Sequence, residues 1–161
     1  GSSTQVNVTE QLEHALNAVK EAYDTSSLDT QTDYQDLPVV MGNPHELSQA
    51  FVNIITNAIQ AMGAQGILKF STTARDNEIK ITIQDNGQGI PRHLLPKIFD
   101  PFFTTKQQGE GSGLGLTIAR RIIQKYAGQI LVDSKEGEGT TCQITLSLKQ
   151  NSSSATKEDT L

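Results

Sequence analysis

Apolar side chains between residues 8 and 23 fall at Leu12, Leu16, Val19 and Tyr23. That spacing predicts an amphipathic helix, with Thr9 placed to cap its start. Residues 29–35 alternate weakly, as an edge strand would. Asp36-Leu37-Pro38 turns the chain into a short buried strand, Val39-Val40-Met41. Asn43-Pro44 opens a second helix, because asparagine caps and proline suits the first helical turn. That helix buries Leu47, Phe51, Ile54, Ile55, Ala58, Ile59 and Met62, and Gly63 and Gly66 bound the turn after it.

The period then changes from helical to alternating. Ile79, Ile81 and Ile83 alternate with Lys80, Thr82 and Gln84, so strand 78–85 has one buried and one polar face. Residues 67–73 pair with it as a hairpin through Arg75-Asp76-Asn77. Residues 91–111 read as a long irregular segment with one short helix around 94–99. Such a loop is uncommon in a compact domain unless it is functional. Leu116, Ile118, Ala119, Ile122, Ile123 and Tyr126 mark a third helix, ended by Gly128. Residues 130–133 and 140–148 form a last hairpin about Gly137 and Gly139.

Composition narrows the picture. A length of 161 residues suits one domain, which we place at 8–149. Residues 1–7, opening Gly1-Ser2-Ser3, read as a tag or linker remnant, and 150–161 as a disordered polar tail. Apolar content is only 35%, but it is concentrated between Val39 and Leu148, so a core is expected there. A net charge of −5 argues against nucleic acid or an acidic membrane as partner. The single cysteine, Cys142, excludes an intrachain disulfide, fits a reducing compartment and reads as a buried small apolar residue on a strand. With no apolar run long enough to span a bilayer, we expect a cytoplasmic, monomeric fragment, whether or not its parent protein is membrane-anchored.

The candidate chemistry lies in two glycine clusters, Asp85-Asn86-Gly87-Gln88-Gly89-Ile90 and Gly111-Ser112-Gly113-Leu114-Gly115-Leu116. Between them runs Phe99-Asp100-Pro101-Phe102-Phe103-Thr104-Thr105-Lys106. Glycine lets backbone N–H groups approach an anion, so two clusters around a basic, aromatic loop suggest a polyphosphate site with a movable cover. Amides of Gly113 and Gly115 precede a helix, where N–H groups lack intrahelical partners and carry partial positive charge. Neither a Walker spacing nor a strand-preceded dinucleotide fingerprint fits them. Lys106 is placed to pair with terminal phosphate charge. Asn53 and Asn57 project from one helix face, and an asparagine carbonyl is an oxygen ligand suited to Mg²⁺ beside phosphates. Asp85, at a strand end, accepts hydrogen bonds only and suits the exocyclic amine of adenine; alone it would read as a turn-initiating aspartate.

Taken in order, these segments resemble the ATP-binding catalytic domain of two-component sensor histidine kinases. Asn53-Ile54-Ile55-Thr56-Asn57 is similar to that family's N box, and residues 85–90 to its G1 box. Residues 99–103 are similar to the F box, 111–116 to the G2 box, and Gly137-Glu138-Gly139-Thr140 to the final glycine turn. The resemblance covers residues 8–148. It implies an α/β two-layer sandwich of Bergerat type, a mixed sheet of about five strands with three main helices on one face. It implies ATP and Mg²⁺ as cofactors, with Asn57 on the metal and Asn53 organising the metal–phosphate end. Catalysis would fall to Asn53 and Lys106. Nucleotide contacts would come from Asn53, Asn57, Asp85, Gly87, Gly89, Ile90, Phe102, Phe103, Lys106, Gly111, Gly113, Leu114, Gly115, Leu116 and Thr140.

The implied partners are a dimerisation and phosphoacceptor domain of the same parent protein and, through it, a response regulator. None of His14, His45 and His93 fits the phosphoacceptor pattern, so transfer would go to a histidine outside this chain. Where many members carry a basic residue and then an aromatic after the second asparagine, this chain has Gln60 and Ala61. The related gyrase, mismatch-repair and chaperone ATPases need a glutamate where Asn53 stands, and asparagine is no general base. Anti-sigma-type serine kinases generally lack the aromatic motif. A binding-only pseudokinase is disfavoured by the intact asparagines, Asp85 and glycines.

Overall fold

The computed structural model describes residues 3–63, 65–101 and 115–148. Strand β1 (Thr4–Val6) leads into helix α1 (Val8–Ala22), then β2 (Ser27–Tyr34), β3 (Val40–Gly42) and helix α2 (Pro44–Met62). The hairpin β4 (Gln65–Arg75) and β5 (Glu78–Asp85) follows, then a 3-10 helix (Arg92–Lys97), helix α3 (Gly115–Lys125) and the hairpin β6 (Gln129–Lys135) and β7 (Gly139–Ser147). Five strands form one mixed sheet in the order β2-β4-β5-β7-β6, parallel between β2 and β4 and antiparallel elsewhere. The three helices cover one face, which is the expected two-layer α/β sandwich.

Register explains where the core sits. Phe70, Ile83, Cys142 and Val132 lie in one row across β4, β5, β7 and β6. Thr72, Ile81, Ile144 and Ile130 form the next. These rows meet Leu12, Leu47, Phe51, Ile55, Ile59 and Ile123 from the helices, all fully buried. Burying one such side chain contributes about 1.5–3 kcal/mol, so this layer contact carries most of the fold's stability.

The predicted elements are present, with differences at their ends and in β3, where Val40 is buried but Val39 and Met41 of the expected buried strand are exposed. Residues 4–6, read as part of a remnant, form β1, which pairs antiparallel with β3 and buries Val6 against the core. A three-residue strand is too short to show alternation. Asn7, not Thr9, caps α1: its Oδ1 accepts from Glu10 N (3.0 Å). Asn43 caps α2 as expected, accepting from His45 N (2.9 Å) and Glu46 N (3.3 Å), and Gly63 ends that helix at φ 65°. Both hairpins run beyond their predicted lengths. The β4–β5 turn has Asp76 and Asn77 at positive φ (54° and 64°), the geometry that suits the right-handed twist of two strands. The short helix begins earlier than expected, at Arg92, and is of the 3-10 type.

Candidate functional site

Alternation in β5 carries on past Ile83 to Asp85, so this carboxylate enters the helix-side layer at the last rung of the strand. Asp85 is only 7% exposed. Its Oδ1 accepts from Gly87 N (2.9 Å) and from Thr140 N (3.3 Å). Burial pushes its carboxyl above the usual range, and those two amide donors act in the opposite sense. Leu68, Asp85, Thr140 and Ser134 form the terminal row of the sheet. Two glycines make the row possible. A Cβ on Gly139, whose φ is 126°, would strike the Asp85 carbonyl, and one on Gly87 would come within 2.7 Å of the Ala61 carbonyl. The loop after Asp85 is pinned from both sides: Gln88 N donates to Ala61 O on α2 (3.2 Å), and Gln88 O accepts from Gly137 N (2.7 Å). Asn86 Oδ1 accepts from Ile67 N (2.9 Å) at the start of β4.

The second part of the site is on α2. Asn53 and Asn57 are half-buried beside a stripe formed by Ile54, Ile55 and Ala58. Asn53 Oδ1 accepts from Gln49 Nε2 (3.1 Å), while its Nδ2 is buried with no partner among the described residues. Helix α3 starts against both amides: a methyl group on Gly115 would lie 3.8 Å from Asn53 Cβ and 3.9 Å from Asn57 Nδ2. The first amides of α3, which lack intrahelical partners, thus start beside the asparagine pair. Among the described residues no cluster of three or more His, Cys, Asp or Glu side chains could hold a metal. The donor set fits Mg²⁺ in one manner, an amide oxygen supplemented by phosphate oxygens and water, which that ion accepts.

Phe99, the first residue of the aromatic motif, is anchored to α3. Thr117 Oγ1 donates to its carbonyl (2.9 Å), and the Arg120 guanidinium stands 5.0 Å from its ring centroid. Phe102, Phe103, Lys106, Gly111, Gly113 and Leu114 lie outside the described residues.

Residues 42–150 match the family model of histidine kinase-, DNA gyrase B- and HSP90-like ATPases. The chain belongs to this family. Within it, similar proteins include sporulation kinases and sensor histidine kinases. Sporulation kinase E of Bacillus subtilis is 34% identical over 147 residues, covering 90% of this chain and 20% of that protein. Sensor histidine kinase ZraS of Escherichia coli K12 is 34% identical over 142 residues, covering 88% of this chain and 30% of that protein. The chain therefore spans a fifth to a third of the curated relatives it matches. Among solved structures, a mycobacterial sensor histidine kinase MprB superposes with a TM-score of 0.79 at 26% identity, covering 90% of this chain and 97% of that one. The catalytic domain of histidine kinase ThkA gives 0.79 at 28%, covering 91% and 96%. The chain is thus an ATP-binding catalytic domain of the histidine kinase type.

As a member of this family the chain shows several features that sequence reasoning passed over. Ser134 Oγ accepts from Ile90 N (2.8 Å) and contacts Thr140 Oγ1 (2.8 Å). Only the pairing of β6 with β7 about Gly137 would have placed it there. Gln60, where a basic residue is common in the resembling kinases, donates to Tyr23 OH on α1 (2.8 Å) and so ties two helices together. Burial raises the Cys142 thiol to about 12, which keeps it protonated and unreactive, as its expected core position requires. His14, His45 and His93 are all exposed, and no described helix is long and apolar enough to cross a membrane.

Proposed function

We propose that this domain holds Mg·ATP with its purine at Asp85 and its phosphates at the Asn53–Asn57–Gly115 end. It presents the γ-phosphate to a histidine on a separate dimerisation and phosphoacceptor domain of the parent protein, which passes it to a response regulator. The observation that carries this reading is the Asp85 carboxylate. Among the described residues both of its backbone donors bind Oδ1, which leaves Oδ2 as an acceptor for the adenine amine. Thr140 and the backbone of Gly87, Gly89 and Ile90 complete that end. Asn57 supplies the metal ligand and Asn53 orders the metal–phosphate end, its buried Nδ2, which has no partner among the described residues, serving as a donor to phosphate oxygen. Bound Mg²⁺ would neutralise charge on the phosphates. Gly115 and Leu116 offer backbone donors at the start of α3, and Gly111, Gly113 and Leu114 extend them. Phe102, Phe103 and Lys106 form the cover.

In the transfer, an imidazole nitrogen from the partner domain bonds to the γ-phosphorus as the bond to the bridging oxygen breaks, and ADP leaves. Positioning and charge neutralisation carry such a step. Asn53 cannot take a proton from water, so hydrolysis is not promoted. Calorimetry tests the site. Asp85→Ala abolishes adenine-nucleotide binding, whereas Asn57→Ala weakens Mg-dependent binding more than metal-free binding. Unchanged affinity in the first, or an equal loss in both conditions in the second, removes the corresponding assignment.

A further inference from the structure

Ser134 stands at the end of the row that carries Asp85 and Thr140, and its hydroxyl has three neighbours. Ile90 N donates to it (2.8 Å), the Gly139 carbonyl accepts from it (3.0 Å), and Thr140 Oγ1 lies 2.8 Å away. A hydroxyl carries one proton and two acceptor sites. The Gly139 carbonyl can only accept, so it takes the Ser134 proton. The Ile90 amide can only donate, so it fills one acceptor site. Only one assignment keeps all three bonds: Thr140 donates its hydroxyl proton to Ser134 Oγ. Thr140 Oγ1 then has no proton left to offer and shows lone pairs alone. Thr140 is directly opposite Asp85 in the antiparallel β5–β7 pair, so the two side chains share a face. The ionised carboxylate is likewise an acceptor only.

We propose that Ser134 is a positioning residue that fixes the hydrogen-bond polarity of the purine edge. By holding the Thr140 proton, it makes the Asp85–Thr140 edge acceptor-only and thereby selects a 6-aminopurine over a 6-oxopurine. This rests on the reading of Asp85 as the adenine contact. A 6-amino group brings two N–H donors to such an edge. A 6-oxo group brings lone pairs against lone pairs, and an unpaired buried acceptor costs more than a lost bond. Without Ser134, the Thr140 hydroxyl is free to rotate and donate to a 6-oxo group.

The test is titration calorimetry of the domain with Mg·ATP and Mg·ITP, comparing wild type, Ser134→Ala and Ser134→Thr. Wild type prefers ATP. Ser134→Ala lowers the ratio of the ITP to the ATP dissociation constant roughly fivefold or more, a difference of the size of one hydrogen bond. Ser134→Thr, which keeps the hydroxyl, restores the wild-type ratio. A second variant, Thr140→Val, leaves the Ser134–Gly139 and Ser134–Ile90 bonds in place and also relaxes the ratio, which keeps the test open if Ser134→Ala fails to fold. Equal weakening of both nucleotides by Ser134→Ala, or an unchanged ratio in Thr140→Val, overturns the proposal. Wild type that binds neither nucleotide sinks instead the assignment of the purine site itself.

Discussion

In the proposed reading, Asp85 serves recognition at some cost to folding. Burial raises its carboxyl pKa, so the folded state keeps the proton to a higher pH than the unfolded chain does. Ionisation therefore opposes folding above that window, and this contribution becomes more favourable as pH falls through it. Two results are expected. Asp85→Asn, whose Oδ1 can still accept from Gly87 and Thr140, is at least as stable as wild type at pH 7 in thermal denaturation. It nonetheless loses adenine-nucleotide affinity by about 10-fold or more, because an amide donor then faces the adenine amine. In wild type, affinity falls as pH drops through the elevated carboxyl pKa, since a protonated Oδ2 no longer accepts; a flat affinity across acid pH would contradict this. Asp85 was legible because it continues the Ile79-Ile81-Ile83 alternation. Ser134 was not, because a hydroxyl on an edge strand reads as solvated until its register opposite Thr140 is known. Asn7 was passed over for Thr9 because both residue types are competent caps, and the bond from Glu10 N to Asn7 Oδ1 decides between them.

At the scale of elements, α3 is held at both ends. Its start rests on Asn53 and Asn57, and beyond its last turn the Tyr126 hydroxyl accepts from Asn43 N (2.8 Å) and lies within 3.3 Å of Glu46 Oε1. Lys125 Nζ donates to the other Glu46 oxygen (2.7 Å), which joins the end of α3 to the beginning of α2. Tyr126→Phe keeps the ring that packs against Gly42 but strips the acceptor from Asn43 N. We expect a loss of about 1–2 kcal/mol in denaturant unfolding, the range for a backbone donor left without its partner. An unchanged midpoint would show that the hydroxyl does not tie the helices. The helices were legible because each buries one stripe at a 3.6-residue period, and β5 because it alternates. β2 gave only a weak signal because it lies at the sheet's edge and only Leu28, Thr30 and Tyr34 are half-buried, while Thr32 between them is exposed. Nor did β1 announce itself, since its role comes from pairing with β3, a partner distant in the chain.

For the molecule as a whole, the proposed reading puts the nucleotide between α2, α3 and the ends of β5 and β7, close to Phe99, which is fixed on α3 through Thr117 and Arg120. The order of the motifs along the chain made their places in the fold readable, because they fall at junctions of it: the middle of α2, the exit of β5, the entry of α3 and the β6–β7 turn. The hydroxyl and amide bonds that join those junctions depend on side-chain packing and could not be read from motif order. In the proposed function the domain hands phosphate to a histidine on another domain. Incubation with Mg·ATP labelled on the γ-phosphate, with and without the separately produced phosphoacceptor domain of the parent protein, tests it directly. We predict acid-labile label on a histidine of the added domain and negligible labelling or phosphate release by this chain alone. Steady hydrolysis by the isolated chain, or stable label on His14, His45 or His93, would contradict it.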